Sequence, residues 1–275
     1  MVEIAPITRH DSRAAQVAGA VHDSLSPVQT ILFGSRARGD YRWYSDIDIF
    51  VITADETEPD YREYAKSVAE QARKELLPEA DKTDVICWTL QKFLDNRGLK
   101  NNLANHVARD GLPIMPPEDI GYSSDYGAEG IDWNNVRTRV RDARENAYAI
   151  QNGIDVERIG EKVFGHIAQQ ALEHGYKALL GANGHDYPVG RHGHDLAGLI
   201  ALVRERLALS ADFRVHGEYH SYLTEYAGSA IYADDLPPLN RGRIHQEIPD
   251  AVEQLMRLMA ETSGYDPSTD PELAG

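Results

Sequence analysis

Between Arg9 and Leu25 apolar residues recur at helical spacing, with Ala14, Val17, Ala18, Val21 and Leu25 on one face. Val28 to Phe33 then runs apolar without a break and stops at Gly34-Ser35, the pattern of a short strand closed by a turn. Asp46 to Ile52 reads as a second strand, Tyr61 to Leu77 as a helix stopped by Pro78, Thr83 to Trp88 as a third strand, and Leu103 to Arg109 as a short helix. Strands mixed with helices predict an α/β or α+β domain over residues 1–116. Pro116-Pro117 and the glycines and serines up to Gly130 carry no periodicity and mark 117–131 as a linker.

Beyond the linker the apolar period is helical throughout and no strand is expected. Asp132 to about Asn152, Val156 to Leu180, Asp195 to Leu209, Glu218 to Tyr232 and Arg243 to Glu261 all read as helices. Asp132 is a plausible first N-cap, and Gly153 and Gly181 are plausible stops. This predicts an all-α bundle over 132–263, followed by a flexible tail, 264–275.

Composition narrows the function classes. The chain has 275 residues, is 42% hydrophobic, and carries 28 basic against 44 acidic side chains for a net charge of −16. Divided at Pro116, the first part holds 14 basic and 18 acidic residues and the second 14 and 26, so the excess belongs to the bundle. A protein that grips nucleic acid through phosphate neutralisation needs the opposite balance, and no nucleic-acid partner is expected. Cys87 is the one cysteine, which excludes an intrachain disulfide or a cysteine-rich zinc site; lying within a strand, it reads as a core residue. No apolar run approaches the roughly 18 to 20 residues of a membrane span, and the expectation is a soluble cytoplasmic protein.

The most informative segment runs from Ile31 to Val51. A strand ending in Gly34-Ser35 and turning into a helix aims free backbone N–H groups, and a hydroxyl, at an anion. Arg36 and Arg38 follow as mobile charge for a polyphosphate. In Asp46-Ile47-Asp48 both carboxylates project from one face of a strand, about 7 Å apart, while Ile47 and Ile49 enter the core. Like charges at that spacing call for cations, and Mg²⁺, a hard ion that shares oxygen ligands with substrate phosphates, suits them. Asp84, opening the neighbouring strand, is the expected third carboxylate, with Asp81 as the fallback.

Gly-Ser, ten residues, then Asp-x-Asp resembles the minimal nucleotidyltransferases of the DNA polymerase β superfamily, from about Gln16 to an ending Arg109-Asp110-Gly111-Leu112-Pro113-Ile114-Met115. The resemblance implies an α+β fold, a small mixed sheet with flanking helices, in which Gly34 and Ser35 hold the triphosphate of ATP or another NTP. It implies further that Asp46, Asp48 and Asp84 bind two Mg²⁺ ions, with Asp84 also the general base.

In the second half, His166, Gln170, Glu173 and Lys177 share one helix face, which by periodicity alone reads as a solvated stripe. The run His166-x-x-Gln169-Gln170-Ala171-x-Glu173-x-x-x-Lys177-Ala178-Leu179-Leu180, followed by His194-Asp195-Leu196, resembles the HEPN family of helical domains over roughly Trp133 to Glu261. That resemblance lets the stripe face the nucleotidyltransferase cleft or a homodimer partner. Some HEPN proteins are ribonucleases, and Arg214, His220 and Tyr222 fit their loose pattern. Where fused relatives carry Arg-Tyr-Pro, this chain has Ile231-Tyr232-Ala233. His185, His192 and His194 cluster in a Gly-rich loop that could bind Zn²⁺.

The expected activity is therefore transfer of a nucleoside monophosphate, AMP in the first instance, to an acceptor hydroxyl on a small molecule or a protein tyrosine. The alternatives are a HEPN ribonuclease toxin regulated in cis and a nucleotide-binding regulatory module.

Overall fold

Asp11 starts the first helix: its carboxylate accepts the backbone N–H groups of Arg13 and Ala14 at 3.0 and 3.4 Å, satisfying donors that a helix start otherwise leaves open. In this computed structural model residues 10–58, 60–114, 130–153, 159–189, 193–210, 213–227 and 236–273 are described. The chain divides into two compact units, Met1–Glu129 and Gly130–Gly275.

The N-terminal unit runs α1 (Ser12–Leu25), β1 (Gln29–Phe33), α2 (Gly34–Arg38), β2 (Ile47–Thr53), α3 (Tyr61–Leu76), β3 (Thr83–Thr89), α4 (Leu90–Asn96), the two-residue strand β4 (Leu99–Lys100), α5 (Leu103–Asp110) and β5 (Leu112–Pro113). The strands β3-β2-β1-β5 form one mixed sheet: β1 is antiparallel to β2 and β5, and β2 is parallel to β3. A parallel pair needs a crossover, which α3 supplies.

Alternation along the strands gives the sheet two faces. Leu32, Ile47, Ile49, Val51 and Val85 pack with the alanines and valines of α1 and the alanines of α3. Ile31, Phe50 and Ile52 pack with Phe93 of α4 and with Ala104 and Val107 of α5, and the Phe50 ring meets Phe33, Trp88 and Phe93. The α4 turn, capped by Thr89 accepting from the Lys92 N–H at 3.2 Å, is too short to leave a period in the sequence.

The second unit opens with a two-residue strand, β6 (Gly130–Ile131), where none was expected. It continues as α6 (Trp133–Tyr148) with a π-helical turn at Ala149–Gly153, α7 (Glu161–Ala182), α8 (Leu196–Arg206) and α9 (Arg241–Ser263). Asp132 caps α6 as expected, accepting from the Asn135 N–H at 3.0 Å. Phe164, Leu172, Leu179 and Leu180 of α7 share a core with Val140 of α6, Leu199 and Val203 of α8, and Leu255 and Met259 of α9.

Two expectations are corrected. Glu218–Tyr226 is 3₁₀ rather than α-helical. It follows Gly217 at φ +78°, where an added Cβ would also crowd the Leu172 side chain. The tail is held rather than frayed: Asp270 accepts from Arg137 Nε at 2.8 Å and from the Tyr265 hydroxyl at 2.6 Å. Among the described residues no helix is long and apolar enough to cross a membrane. Residues 117–129 of the expected linker, Met115, His192 and Ile231-Tyr232-Ala233 lie outside the described residues.

Candidate active site

Pairing register brings the predicted residues of the N-terminal unit together. On β2, Asp48 stands opposite Phe33 of β1, the residue immediately before Gly34-Ser35, and opposite Asp84 of β3. Asp46 lies one step before β2, on the same side as Asp48 by alternation. The three aspartates therefore occupy the end of the sheet face whose remainder carries Phe50 and Ile52. Asp84 rather than Asp81 is the registered partner, because Asp81 precedes β3 and its backbone N–H binds the Tyr44 carbonyl at 3.1 Å.

Gly34 is required twice over. Its φ is +70°, and a Cβ there would run into the Asp48 carboxylate, so the strand end and the aspartate can approach only because no side chain stands between them.

Asp48 feels its surroundings most. Burial, and then the charges of Asp46 and Asp84, raise its pKa from 3.8 to about 6, against the opposing pull of Arg38 and Lys82. Asp46 is raised as well, by burial first, with Asp84 and Asp81 adding to it and Lys82 opposing. Lys82, which the sequence reading passed over, bridges the cluster with its ammonium 3.0 Å from Asp84 Oδ2 and 3.7 Å from Asp46 Oδ2. Its signal was present: Lys82 is two residues before Asp84 and one step ahead of β3, on the side of Asp84 by alternation.

Arg36 is not the mobile phosphate ligand expected of it. It is 1% exposed, pairs with Asp11, and donates to the carbonyls of Trp43 (3.1 Å), Ser45 (2.7 Å from Nη2) and Asp46 (3.2 Å). A guanidinium with five donors in a fixed fork can pin a turn in this way. Arg36 thus holds the loop that delivers Asp46. Arg38, by contrast, faces outward and pairs loosely with Asp40 at 3.3 Å.

Among the described residues no three His, Cys, Asp or Glu side chains stand as a group ready to hold a metal ion, and Lys82 lies between Asp46 and Asp84. The donor chemistry nevertheless fits a hard cation: the charges of Asp46 and Asp84 raise the pKa of Asp48, the charge of Asp84 raises that of Asp46, and one ammonium offsets only part of the charge.

In the helical unit the polar stripe of α7 is largely interior. Glu173 accepts from Lys177 at 2.7 Å and from Gln169 at 2.6 Å, and pairs with His194 Nδ1 at 2.9 Å. Burial alone would raise the Glu173 pKa, but the hydrogen bond from His194 and the charge of Lys177 bring it to about 2. His174 is held neutral. Burial and the neighbouring Arg139 lower it to about 4, with Arg139 donating to Nδ1 and Nε2 donating to Gln170.

The nuclease pattern does not assemble. Arg214 is 72% exposed and pairs with Glu218, whereas His220 is 2% exposed and binds Glu247 at 2.8 Å. Tyr222 is half-buried, and burial raises its hydroxyl pKa. Of the three loop histidines, His194 is engaged by Glu173.

Residues 15–105 match the family model of the nucleotidyltransferase domain, a span containing Gly34, Ser35 and all three aspartates. The match falls within the N-terminal unit, and the whole helical unit lies outside it. Neither a curated protein nor a solved structure gives a significant match to the chain.

Proposed function

We propose that the protein transfers a nucleoside monophosphate, AMP from ATP in the first instance, to an acceptor hydroxyl with release of pyrophosphate. The observation that carries this reading is the register that sets Asp48 against both Asp84 and the Gly34-Ser35 strand end.

Gly34, Ser35 and Arg38 take the triphosphate, the first two through backbone N–H groups and a hydroxyl, the last through its outward-facing charge. Asp46, Asp48 and Asp84 are the oxygen donors for Mg²⁺, which when bound would neutralise phosphate charge. Asp84 accepts the proton of the acceptor hydroxyl. That oxygen bonds to the α-phosphorus as the bond to the β-phosphate oxygen breaks, and pyrophosphate leaves with its charge steadied by Ser35 and Arg38. Asp48 is half-buried, so solvent screens its charge only in part.

The helical unit is read as HEPN-like. Its acidity favours a cationic small molecule or a protein tyrosine over nucleic acid. The test is incubation with MgATP labelled at the α-phosphate, together with cell extract and candidate hydroxylated amines, followed by intact-mass analysis of the protein. Label should pass to an acceptor and pyrophosphate should appear, and Asp48→Ala should lower the rate by at least about a hundredfold. Undiminished turnover in Asp48→Ala would remove the aspartates from the reaction.

A further inference from the structure

The Gly34-Ser35 turn has a second flank, away from the aspartates. We propose that Arg109, in the last turn of α5, is a further phosphate-binding arginine that meets the outer phosphates of the donor from that flank, with Asp110 as its positioning residue. The inference rests on the reading of Gly34, Ser35 and Arg38 as the triphosphate site and adds a residue to it.

The sheet order supplies the first observation. β1 lies between β2 and β5, so the turn that leaves β1 at Gly34 has the Asp48 strand on one side and the junction of α5 with β5 on the other. Register sets the level of that junction. Ile31 is opposite Pro113 and Leu32 opposite Leu112, and the next steps of the antiparallel pair lead from Phe33 to Gly111 and from Gly34 to Asp110. Gly111 seats the junction closely on β1, because a Cβ there would run into the Ile31 side chain, and α5 also packs on α2, the helix that carries Arg38.

The second observation is the shape in which Arg109 is held. Its Nε and Nη2 donate to the two oxygens of Asp110 at 2.9 and 3.0 Å, and Nη2 also donates to His106 Nδ1 at 3.2 Å. A guanidinium oriented in advance loses little freedom on meeting a phosphate, whose geometry its planar fork matches. Asp110 also senses both arginines. Burial alone would raise its pKa, but the hydrogen bond and charge of Arg109, with the charge of Arg38 added, lower it. Arginines from two separate elements thus converge beside the turn, and a triphosphate carries more negative charge than one of them offsets.

Modification of the full-length protein by phenylglyoxal, read by peptide mass spectrometry with and without inorganic tripolyphosphate and MgCl₂, tests the contact in the wild type. At about ten times its dissociation constant, tripolyphosphate should slow modification of Arg38 and Arg109 by roughly tenfold. Arg214, 72% exposed, should react at an unchanged rate. In calorimetry Arg109→Gln should bind tripolyphosphate roughly ten- to a hundredfold more weakly, while AMP, which lacks the outer phosphates, binds as it does to the wild type. Protection of Arg38 without Arg109, unchanged tripolyphosphate binding in Arg109→Gln, or an equal loss for AMP overturns the proposal and leaves the triphosphate reading standing. Protection of neither arginine removes that reading, and the proposal with it.

Discussion

Arg36 and Arg38 are two residues apart and carry the same charge, yet the fold gives them opposite tasks. Arg36 is enclosed with Asp11 and three carbonyl acceptors, so removing it strands a buried carboxylate and unties the turn before Asp46. Arg36→Ala should destabilise the N-terminal unit by about 3–5 kcal/mol, read as a lower denaturation midpoint. Arg38→Ala should leave that midpoint unchanged and raise KM for the nucleotide several-fold, measured by pyrophosphate release. Sequence could not separate the two, because both follow the Gly-Ser turn and only the enclosure by Asp11 and the 43–46 backbone distinguishes them. Asp46, Asp48 and Asp84 were legible because strand alternation and hydrophobic neighbours fix which way a side chain points. Lys82 was missed because one lysine beside several acidic residues reads as ordinary surface charge until the pairing of β2 with β3 is known.

At the level of the element, α7 is the instructive case. The expected span was Val156 to Leu180 where the helix is Glu161–Ala182; period identified the face bearing Gln170, Glu173 and Lys177, but it says nothing about what covers a face. The covering comes from His194 and Arg139, which are distant in sequence and approach α7 only in the folded unit. Glu173 and Lys177 form a buried pair, and the second Glu173 oxygen accepts from Gln169 and His194. Glu173→Ala leaves a buried ammonium without its counter-charge and should cost about 3–5 kcal/mol, whereas replacement of the exposed Arg214 should leave the melting temperature unchanged. Thermal unfolding followed by circular dichroism distinguishes them. The 3₁₀ segment Glu218–Tyr226 was read as a longer α-helix for a related reason: the apolar spacing of the two forms is similar over two turns.

Across the whole molecule the two units respond to acid with opposite sign. In the helical unit the folded pKa values of His174 (about 4, from 6.5) and Glu173 (about 2, from 4.5) lie below their unfolded values. The unfolded state therefore takes up protons first. Stability that is full above about pH 6.5 declines as pH falls, first through His174 and then through Glu173. In the metal-free N-terminal unit Asp48 is raised to about 6 from 3.8, so the folded state takes up the proton first and gains stability between those values. Hydrogen exchange at pH 7.5 and pH 5, corrected for intrinsic rates, should show protection falling in α6 and α7 and holding or rising in β2 and β3. A uniform fall across both units would contradict this.

The parallel pairing of β2 with β3 has a consequence for the newly made chain. Asp48 and Asp84 are separated in sequence by all of α3, and they become neighbours only when that helix has crossed over and the two strands have closed side by side. The turn at Gly34-Ser35, the β1–β2 hairpin and the helices can all form from local contacts without assembling the three aspartates. A partly folded chain therefore has no complete site to offer, and the chemistry is withheld until the sheet is finished.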